Sequence, residues 1–261
     1  MMVANADGSD LRPVTPPTMR LDWFDWSPDG TRLAYVAEQV LYVVDVRGGA
    51  PTEIPGTGPV HFSTWLPPNG EEIVLRDETA NPAIFAIPAD GTGEPRALSR
   101  TPANNQFDFQ SIAVSPDGAH ITFTRWTLAG LPRVLSLDVA TGIETMFPIE
   151  DGTGQRGIAT YSPDGTLVAY ARVYPEGAFQ IVVANADGSG NERAIGPKRP
   201  GPFDGSTIPA TWTFTPDGTS LIVRYGTDDQ GVVLMLPLDG SPGTELGSGT
   251  FEFVDVQRLR P

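Results

Sequence analysis

The chain has 261 residues, no cysteine and a formal net charge of −15 at pH 7. The absence of cysteine excludes disulfides, thiol catalysis and thiolate zinc sites. The acidic balance disfavours nucleic acid and anionic membrane surfaces as partners, because binding to either depends on neutralising phosphate charge with Lys and Arg. No apolar stretch approaches the ~18 residues of a membrane-spanning helix, so we expect no membrane insertion.

One short turn recurs five times along the chain. It has the sequence Ser/Thr-Pro-Asp-Gly in four copies and Pro-Pro-Asn-Gly in one, at residues 27–30, 67–70, 115–118, 162–165 and 215–218. Proline presets φ at the second position, and glycine takes the positive φ that closes a hairpin with a bulge. Spacings of about 40 to 53 residues are typical of a propeller or solenoid.

Residues 157–197 show what one repeat contains. Apolar and β-branched runs bounded by tight turns predict four short strands, at 158–161, 167–171, 179–184 and 192–195. The second run is apolar enough to be buried on both faces. Four short antiparallel strands without helical periodicity are typical of one blade of a β-propeller.

The two ends of the chain resemble parts of one further blade. Residues 253–259 resemble an inner strand, and residues 2–8 nearly repeat residues 182–188. We therefore predict an all-β, six-bladed propeller in a single domain, closed by N- and C-terminal strands that share one blade. The expected blades are 20–56, 60–99, 109–148, 157–197, 209–247, and 250–261 with 1–16.

Only five second strands can be found, so either the shared blade has three strands or the native chain starts earlier. We expect this closure to be the weakest part of the ring, because unpaired strand edges are costly.

The first repeat carries a recognisable pattern: Phe24-Asp25-Trp26-Ser27-Pro28-Asp29-Gly30, then Leu33-Ala34-Tyr35, then Leu41-Tyr42-Val43-Val44-Asp45 before Gly48-Gly49. It resembles the WD-like Pro-Asp-Gly repeat of the TolB-like propeller family. The resemblance implies a six-bladed propeller, a periplasmic or extracellular location, and protein partners on the propeller. No signal peptide is visible, so a cytoplasmic location stays open. The resemblance covers the propeller, and we expect no counterpart in this sequence of the small α/β domain that precedes the propeller in TolB.

Few residues suggest catalysis. The G-x-G-x-x-G match at 152–157 leads into a strand instead of a helix, so we interpret it as a loop between blades and not a dinucleotide site. Two histidines, His61 and His120, are too few for a metal centre, and we predict neither metal nor cofactor. Carboxylates in or just before inner strands could serve a glycosidase or lyase, or could instead cap loops and pair with Arg: Asp22, Asp25, Asp108 and Asp255.

One end of each predicted blade carries the loops between second and third strands, which vary in length and composition. We call this end the loop-rich face, since binding residues usually lie on variable loops of a rigid scaffold. Four second strands finish in Arg, and aromatic residues follow, so the binding candidates are Arg76, Arg125, Trp126, Arg172, Tyr174, Arg224 and Tyr225. Such a set suits a carboxylate-bearing peptide or sugar.

Local ion pairing is the competing interpretation of these arginines, for example Arg76 with Asp77 or Glu78, and Arg224 with Asp228 or Asp229. The predicted function is a non-enzymatic, monomeric scaffold that recognises a protein or peptide through the loop-rich face. The alternative is a carbohydrate-active enzyme, of the glycosidase or lyase type, with carboxylates at the channel mouth.

Overall fold

The computed structural model describes residues 1–4, 9–15, 21–57, 59–60, 62–76, 84–99, 112–126, 132–148, 153–200, 210–227 and 230–249. Within these ranges the regular structure consists of β-strands, and none of the described segments is a helix that could cross a membrane. The chain divides into two compact units. One comprises Met1–Asn105 with Asp117–Ala119 and Asp138–Ile143, and the other comprises Gln106–Pro116, His120–Leu137 and Glu144–Pro261.

The first unit holds a two-stranded sheet and two four-stranded blades. The small sheet pairs β1 (Met2–Val3) with β2 (Arg12–Pro13). The first blade has the order β3 (Leu21–Trp26), β4 (Arg32–Ala37), β5 (Val40–Asp45) and β6 (Thr52–Glu53). The second blade has the order β7 (Ser63–Leu66), β8 (Glu72–Arg76), β9 (Ile84–Pro88) and β10 (Arg96–Ala97).

The second unit holds three blades. The third blade contains β11 (Ala113–Val114), β12 (His120–Trp126), β13 (Pro132–Asp138) and β14 (Glu144–Met146). The fourth contains β15 (Gly154–Tyr161), β16 (Leu167–Val173), β17 (Ala178–Asn185) and β18 (Arg193–Ala194), and β19 (Arg199–Pro200) also pairs with β17. The fifth contains β20 (Ala210–Phe214), β21 (Ser220–Thr227), β22 (Gln230–Pro237) and β23 (Thr244–Gly249).

The repeated turn is held by its own side chains. In the fourth blade Ser162 Oγ donates to Asp164 Oδ1 at 2.6 Å and accepts the Leu167 N–H at 2.9 Å. Asp164 Oδ1 also accepts the Thr166 N–H at 3.0 Å, and Gly165 has a φ of +73°. The hydrogen bonds of the turn therefore join residues that are close together in sequence. This explains why the sequence pattern alone locates the turn.

The second strands lie at the centre of each core, as their continuous apolar sequences predict. In β16, Val168, Ala169, Tyr170 and Ala171 are fully buried. Alternate residues pack on opposite sides: Val168 and Tyr170 join one apolar cluster, whereas Ala169 and Ala171 join a second cluster that includes Phe179 and Tyr225. A strand buried on both faces makes the blade rigid enough to hold the loops at its ends in fixed positions.

The prediction of an all-β propeller with four-stranded antiparallel blades is confirmed. Five such blades are present among the described residues, where six were expected. The predicted inner strand at 253–259 lies outside the described residues, and so the closure does too. The interpretation of 152–157 as a loop was wrong in part: 154–157 belong to β15, because Gly154, Gln155 and Arg156 pair with the end of β16. A strand still follows this motif in place of a helix, so the dinucleotide site remains excluded.

Candidate functional site

The loop-rich face of each blade lies where its second strand ends and its third begins. Arg76 ends β8, as predicted, whereas Trp126, which was expected in the following loop, is the last residue of β12. The side chains of both residues lie outside the described part of the structure. The acidic residues that the pairing interpretation used, at 77–78 and 228–229, are also outside it. The structure describes side chains for the other five predicted binding residues: Arg125, Arg172, Tyr174, Arg224 and Tyr225.

Arg125 and Arg172 each form an ion pair with a glutamate near the outer strand of the same blade. Arg125 donates to both carboxylate oxygens of Glu144, at 2.7 and 3.2 Å. Arg172 Nε donates to Glu192 Oε1 at 2.6 Å, and the Tyr170 hydroxyl donates to Glu192 Oε2 at 2.5 Å. Such charge-assisted contacts link the second strand to the outer edge, so both arginines hold the blade together.

Tyr174 belongs to a polar cluster at the same end of the fourth blade. Its hydroxyl donates to Gln180 Oε1 at 2.9 Å, and Gln180 Nε2 donates to the Gly196 carbonyl at 2.7 Å. The Lys198 ammonium lies 3.7 Å from the centre of the Tyr174 ring and pairs with Glu176. These bonds fix the segment from Gly196 to Lys198 that leads directly into β19.

Arg224 and Tyr225 are neighbours in β21, so their side chains lie on opposite faces of the fifth blade. Tyr225 packs with Phe179 at a ring-centre distance of 6.1 Å. Arg224 is buried on the other face, where its Nε would lie 3.3 Å from a Cβ added at Gly231. The two residues therefore cannot contact one ligand from the same face, although the sequence places them together.

A cavity of about 590 Å³ opens between the fourth and fifth blades. Its walls come from β17, β19, β21, β22 and β23, through Phe179, Arg199, Pro200, Tyr225, Gly226, Gly231, Val232, Ser248 and Gly249. Of the predicted binding residues, Tyr225 lines it. Phe179 and Arg199 are direct partners in the β17–β19 pairing, which places both side chains on the same face of the fourth blade.

Three glycines form a continuous row across the end of the fifth blade. Gly226 pairs with Gly231, and Gly231 pairs with Gly249, so one glycine lies on each of three adjacent strands. Gly226 and Gly249 have φ values of 119° and 148°, a conformation that residues with a Cβ rarely adopt. These three positions contribute no side chain of their own, and interior strand glycines often mark a place where a ligand approaches closely.

Two polar atoms beside the cavity have no hydrogen-bond partner in the described part of the chain: Arg199 Nε and the Tyr225 hydroxyl. The Arg199 guanidinium carbon lies 5.0 Å from the centre of the Tyr225 ring. Burial raises the pKa of Tyr225 to about 12, although the positive charge of Arg199 acts in the opposite direction. The phenol is therefore neutral at physiological pH and retains its O–H as a donor.

Sequence reasoning missed most of this cavity. Arg199 follows the predicted fourth strand of its blade, where no further pairing was expected. Two features could have indicated the site: the adjacent bases Lys198 and Arg199 in an acidic chain, and glycines inside strands that otherwise favour β structure.

Of the four carboxylates predicted at the channel mouth, the structure describes the side chain of Asp25. Asp25 Oδ2 accepts hydrogen bonds from Thr64 Oγ1 at 2.9 Å and from the Trp65 N–H at 3.2 Å, so it joins the first two blades. The Asp22 side chain, His61, Asp108 and Asp255 lie outside the described residues. Within the described ranges, His, Asp and Glu side chains form no group of three or more that could hold a metal ion.

Comparison with known proteins begins with sequence. No family model matches the chain. An uncharacterized protein of Agrobacterium fabrum is 29% identical over 181 residues, which is 65% of this chain and 56% of that protein. The chain thus matches little more than half the length of this relative.

Comparison with solved structures defines the class of fold. A TolB-type protein from Agrobacterium tumefaciens superposes with a TM-score of 0.66 at 22% identity, over 92% of this chain and 84% of the other. An oligogalacturonate lyase in complex with manganese superposes with a TM-score of 0.66 at 16% identity, over 95% and 72%. The protein therefore has a β-propeller fold similar to that of a TolB-type protein and to that of an enzyme, and a shared fold does not by itself identify a function.

Proposed function

We propose that this protein is a non-enzymatic recognition scaffold that binds a protein or peptide through its loop-rich face. The observation that carries the proposal is the cavity between the fourth and fifth blades. Its volume lies within the roughly 300–1,000 Å³ usual for ligand sites, and it combines two aromatic rings, one arginine and exposed glycine backbone.

The composition of the cavity supports recognition of a protein segment. Aromatic residues and Arg contribute a large share of binding energy at protein interfaces, especially where well-packed walls exclude water. Phe179 and Tyr225 belong to the apolar core shared by the two blades, so their positions are fixed before a ligand arrives. A preformed site loses little conformational entropy on binding.

The TolB-like fold also supports an exported location. We propose that the protein acts in the periplasm or outside the cell, as a monomer, on a protein or peptide ligand. Fractionation of the source organism with an epitope-tagged chain tests the location, and light scattering tests the monomer. Recovery of the tag with cytoplasmic markers would contradict the export proposal.

A peptide-display selection tests the recognition proposal. The full chain is immobilised and challenged with a random peptide library, and enriched peptides are then titrated by calorimetry. We expect enriched sequences that bind with micromolar Kd and compete with one another for one site. Failure to enrich any sequence above an immobilised bovine albumin control contradicts the proposal.

The alternative of a carbohydrate-active enzyme is favoured by the shared fold with an oligogalacturonate lyase. It is tested by incubating the chain with oligogalacturonates, with and without Mn²⁺, and following the ultraviolet absorbance of unsaturated products. No product above a heat-treated control is expected from a binding scaffold. Product formation by the purified chain would contradict the scaffold proposal and support the enzyme alternative.

We also infer that the propeller has six blades, closed by pairing of residues 253–259 with the N-terminal strands. Five blades of one pattern and the two-stranded sheet β1–β2 support this count. Removal of 250–261 should lower the melting temperature and the free energy of unfolding by several kcal/mol, because strand pairing and apolar burial are lost together. An unchanged melting temperature in a monomeric truncated chain would contradict the closure.

A further inference from the structure

We propose that Arg199 binds a carboxylate of the peptide ligand inside the cavity, while the Phe179 and Tyr225 rings contact the adjoining residue. The inference rests on the proposed function and adds the chemical group that is recognised. The carboxylate belongs either to the C-terminus of the peptide or to an Asp or Glu side chain, and the experiment below separates these two sources.

The first argument compares Arg199 with the other described arginines. Five of them already pair with a carboxylate of this chain: Arg12, Arg47, Arg96, Arg125 and Arg172. Arg199 has no such pair among the described residues, and its Nε is buried. Arg133 also has buried nitrogens with no partner in the described ranges, but it does not line the cavity. In a chain of net charge −15, a partly buried arginine beside a cavity without its own carboxylate favours an anionic ligand.

The second argument is the medium around the guanidinium. Phe179, Pro200, Tyr225 and Val232 line the same cavity as Arg199, and apolar neighbours strengthen a charge–charge contact relative to bulk water. A guanidinium also matches a carboxylate in shape, since two parallel N–H groups can bind its two oxygens. The neutral Tyr225 hydroxyl is a further donor next to the same cavity and adds no negative charge that would oppose the ligand.

The third argument is the glycine row. Gly226, Gly231 and Gly249 contribute no side chain across the ends of three paired strands, and Ser248 adds a hydroxyl on the adjacent row. Because these glycines have no Cβ, a ligand can approach the sheet closely here. The cavity thus combines a surface that a ligand can approach closely with one charged group for a carboxylate.

The experiment uses three small probes and the full chain. N-acetylphenylalanine carries a terminal carboxylate, N-acetylphenylalanine amide carries none, and N-acetylglutamic acid α-amide carries only a side-chain carboxylate. Binding is followed by the amide resonances of Gly226, Gly231 and Gly249 in NMR titrations. We expect at least one of the two acids to bind at least tenfold more tightly than the neutral amide. The tighter acid identifies the source of the carboxylate, and equal Kd values for all three probes would overturn the proposal.

Variants test the role of Arg199 directly. Arg199→Gln should weaken the better acid at least tenfold and leave the neutral amide unchanged, whereas Arg199→Lys should recover part of the loss. Arg47→Gln is the matched control, because Arg47 carries the same charge, is exposed and lies far along the chain in the first blade. Unchanged acid binding by a folded Arg199→Gln variant would overturn the proposal. If display enriches peptides that bind the Arg199→Gln variant as tightly as the original chain, the recognition function is supported and the Arg199 site is contradicted. If no peptide is enriched, the recognition function itself is contradicted.

Discussion

Two parts of the fourth blade differ in whether their polar atoms have hydrogen-bond partners. At the turn 162–165 and at the Arg172–Glu192 pair, each buried or half-buried polar atom has a partner close by in the blade. At the cavity, Arg199 Nε and the nearby Tyr225 hydroxyl have none in the described part of the chain. Self-contained polar networks maintain a fold, while uncompensated polar atoms beside a cavity favour an external partner. The difference therefore separates structural residues from candidate binding residues better than residue type does.

The largest expected effect contrasts two arginines of this blade. Arg172→Gln leaves the Glu192 carboxylate, which is only 13% exposed, without its main cation. We expect a loss of about 3 kcal/mol in the free energy of unfolding. Arg199→Gln removes no ion pair of the described chain and should change stability by less than about 0.5 kcal/mol. Urea denaturation measures both, and equal losses would break the comparison.

Two buried tyrosines provide the next contrast. The Tyr170 hydroxyl donates to Glu192 at 2.5 Å, so Tyr170→Phe should lose about 2 kcal/mol of stability. Tyr225→Phe removes a buried hydroxyl that has no partner among the described residues, so it should leave stability unchanged or raise it by up to about 1 kcal/mol. Thermal melts of the two variants decide. A clear loss in Tyr225→Phe would show that its hydroxyl is already satisfied within the protein.

Two serines give a smaller effect of the same kind. Ser162→Ala removes both the acceptor for the Leu167 N–H and the donor to Asp164, which should cost about 1 kcal/mol. Ser248→Ala, in the exposed strand at the cavity, should cost nothing measurable in stability. Chemical denaturation of both variants measures the difference, and a loss at Ser248 as large as that at Ser162 would contradict it.

The smallest expected effect concerns how the stability of the protein depends on pH. Hydrogen bonds from Ser27, Ser162 and Thr215 hold the pKa values of Asp29, Asp164 and Asp217 below the usual range of Asp. Each contribution to stability is complete above the unfolded pKa of about 4 and is lost as pH falls through the lower folded pKa. A triple Asp→Asn variant keeps the Oδ1 acceptors and should therefore show a flatter decline of stability between pH 5 and 2.5. An identical decline in the variant and the original chain would show that other carboxylates account for it.

The turns could be predicted from sequence because their chemistry is local. Ser162, Asp164 and Gly165 lie within four residues, and each contributes a conformational preference of its own. The partners of Arg125 and Arg172 could not be found in this way, because Glu144 and Glu192 lie on the far side of the third strand and about 20 residues along the chain. The cavity was the hardest feature to predict from the sequence. It depends on β19, a two-residue strand, and on the strand registers that bring the three glycines together.

The outer strand of the fifth blade has a consequence for self-association. At six residues β23 is longer than the two- or three-residue outer strands of the other described blades, and nearly all of it is exposed, including Leu246. A long exposed edge is a template on which a second copy can add a strand. Here the register shifts between Val233 and Leu234, so the edge is bulged, and Glu245 and two glycines interrupt it. These features keep the hydrogen-bonding groups of the edge out of regular alignment, so the longest outer edge among these blades is poorly suited to recruit another copy of the chain.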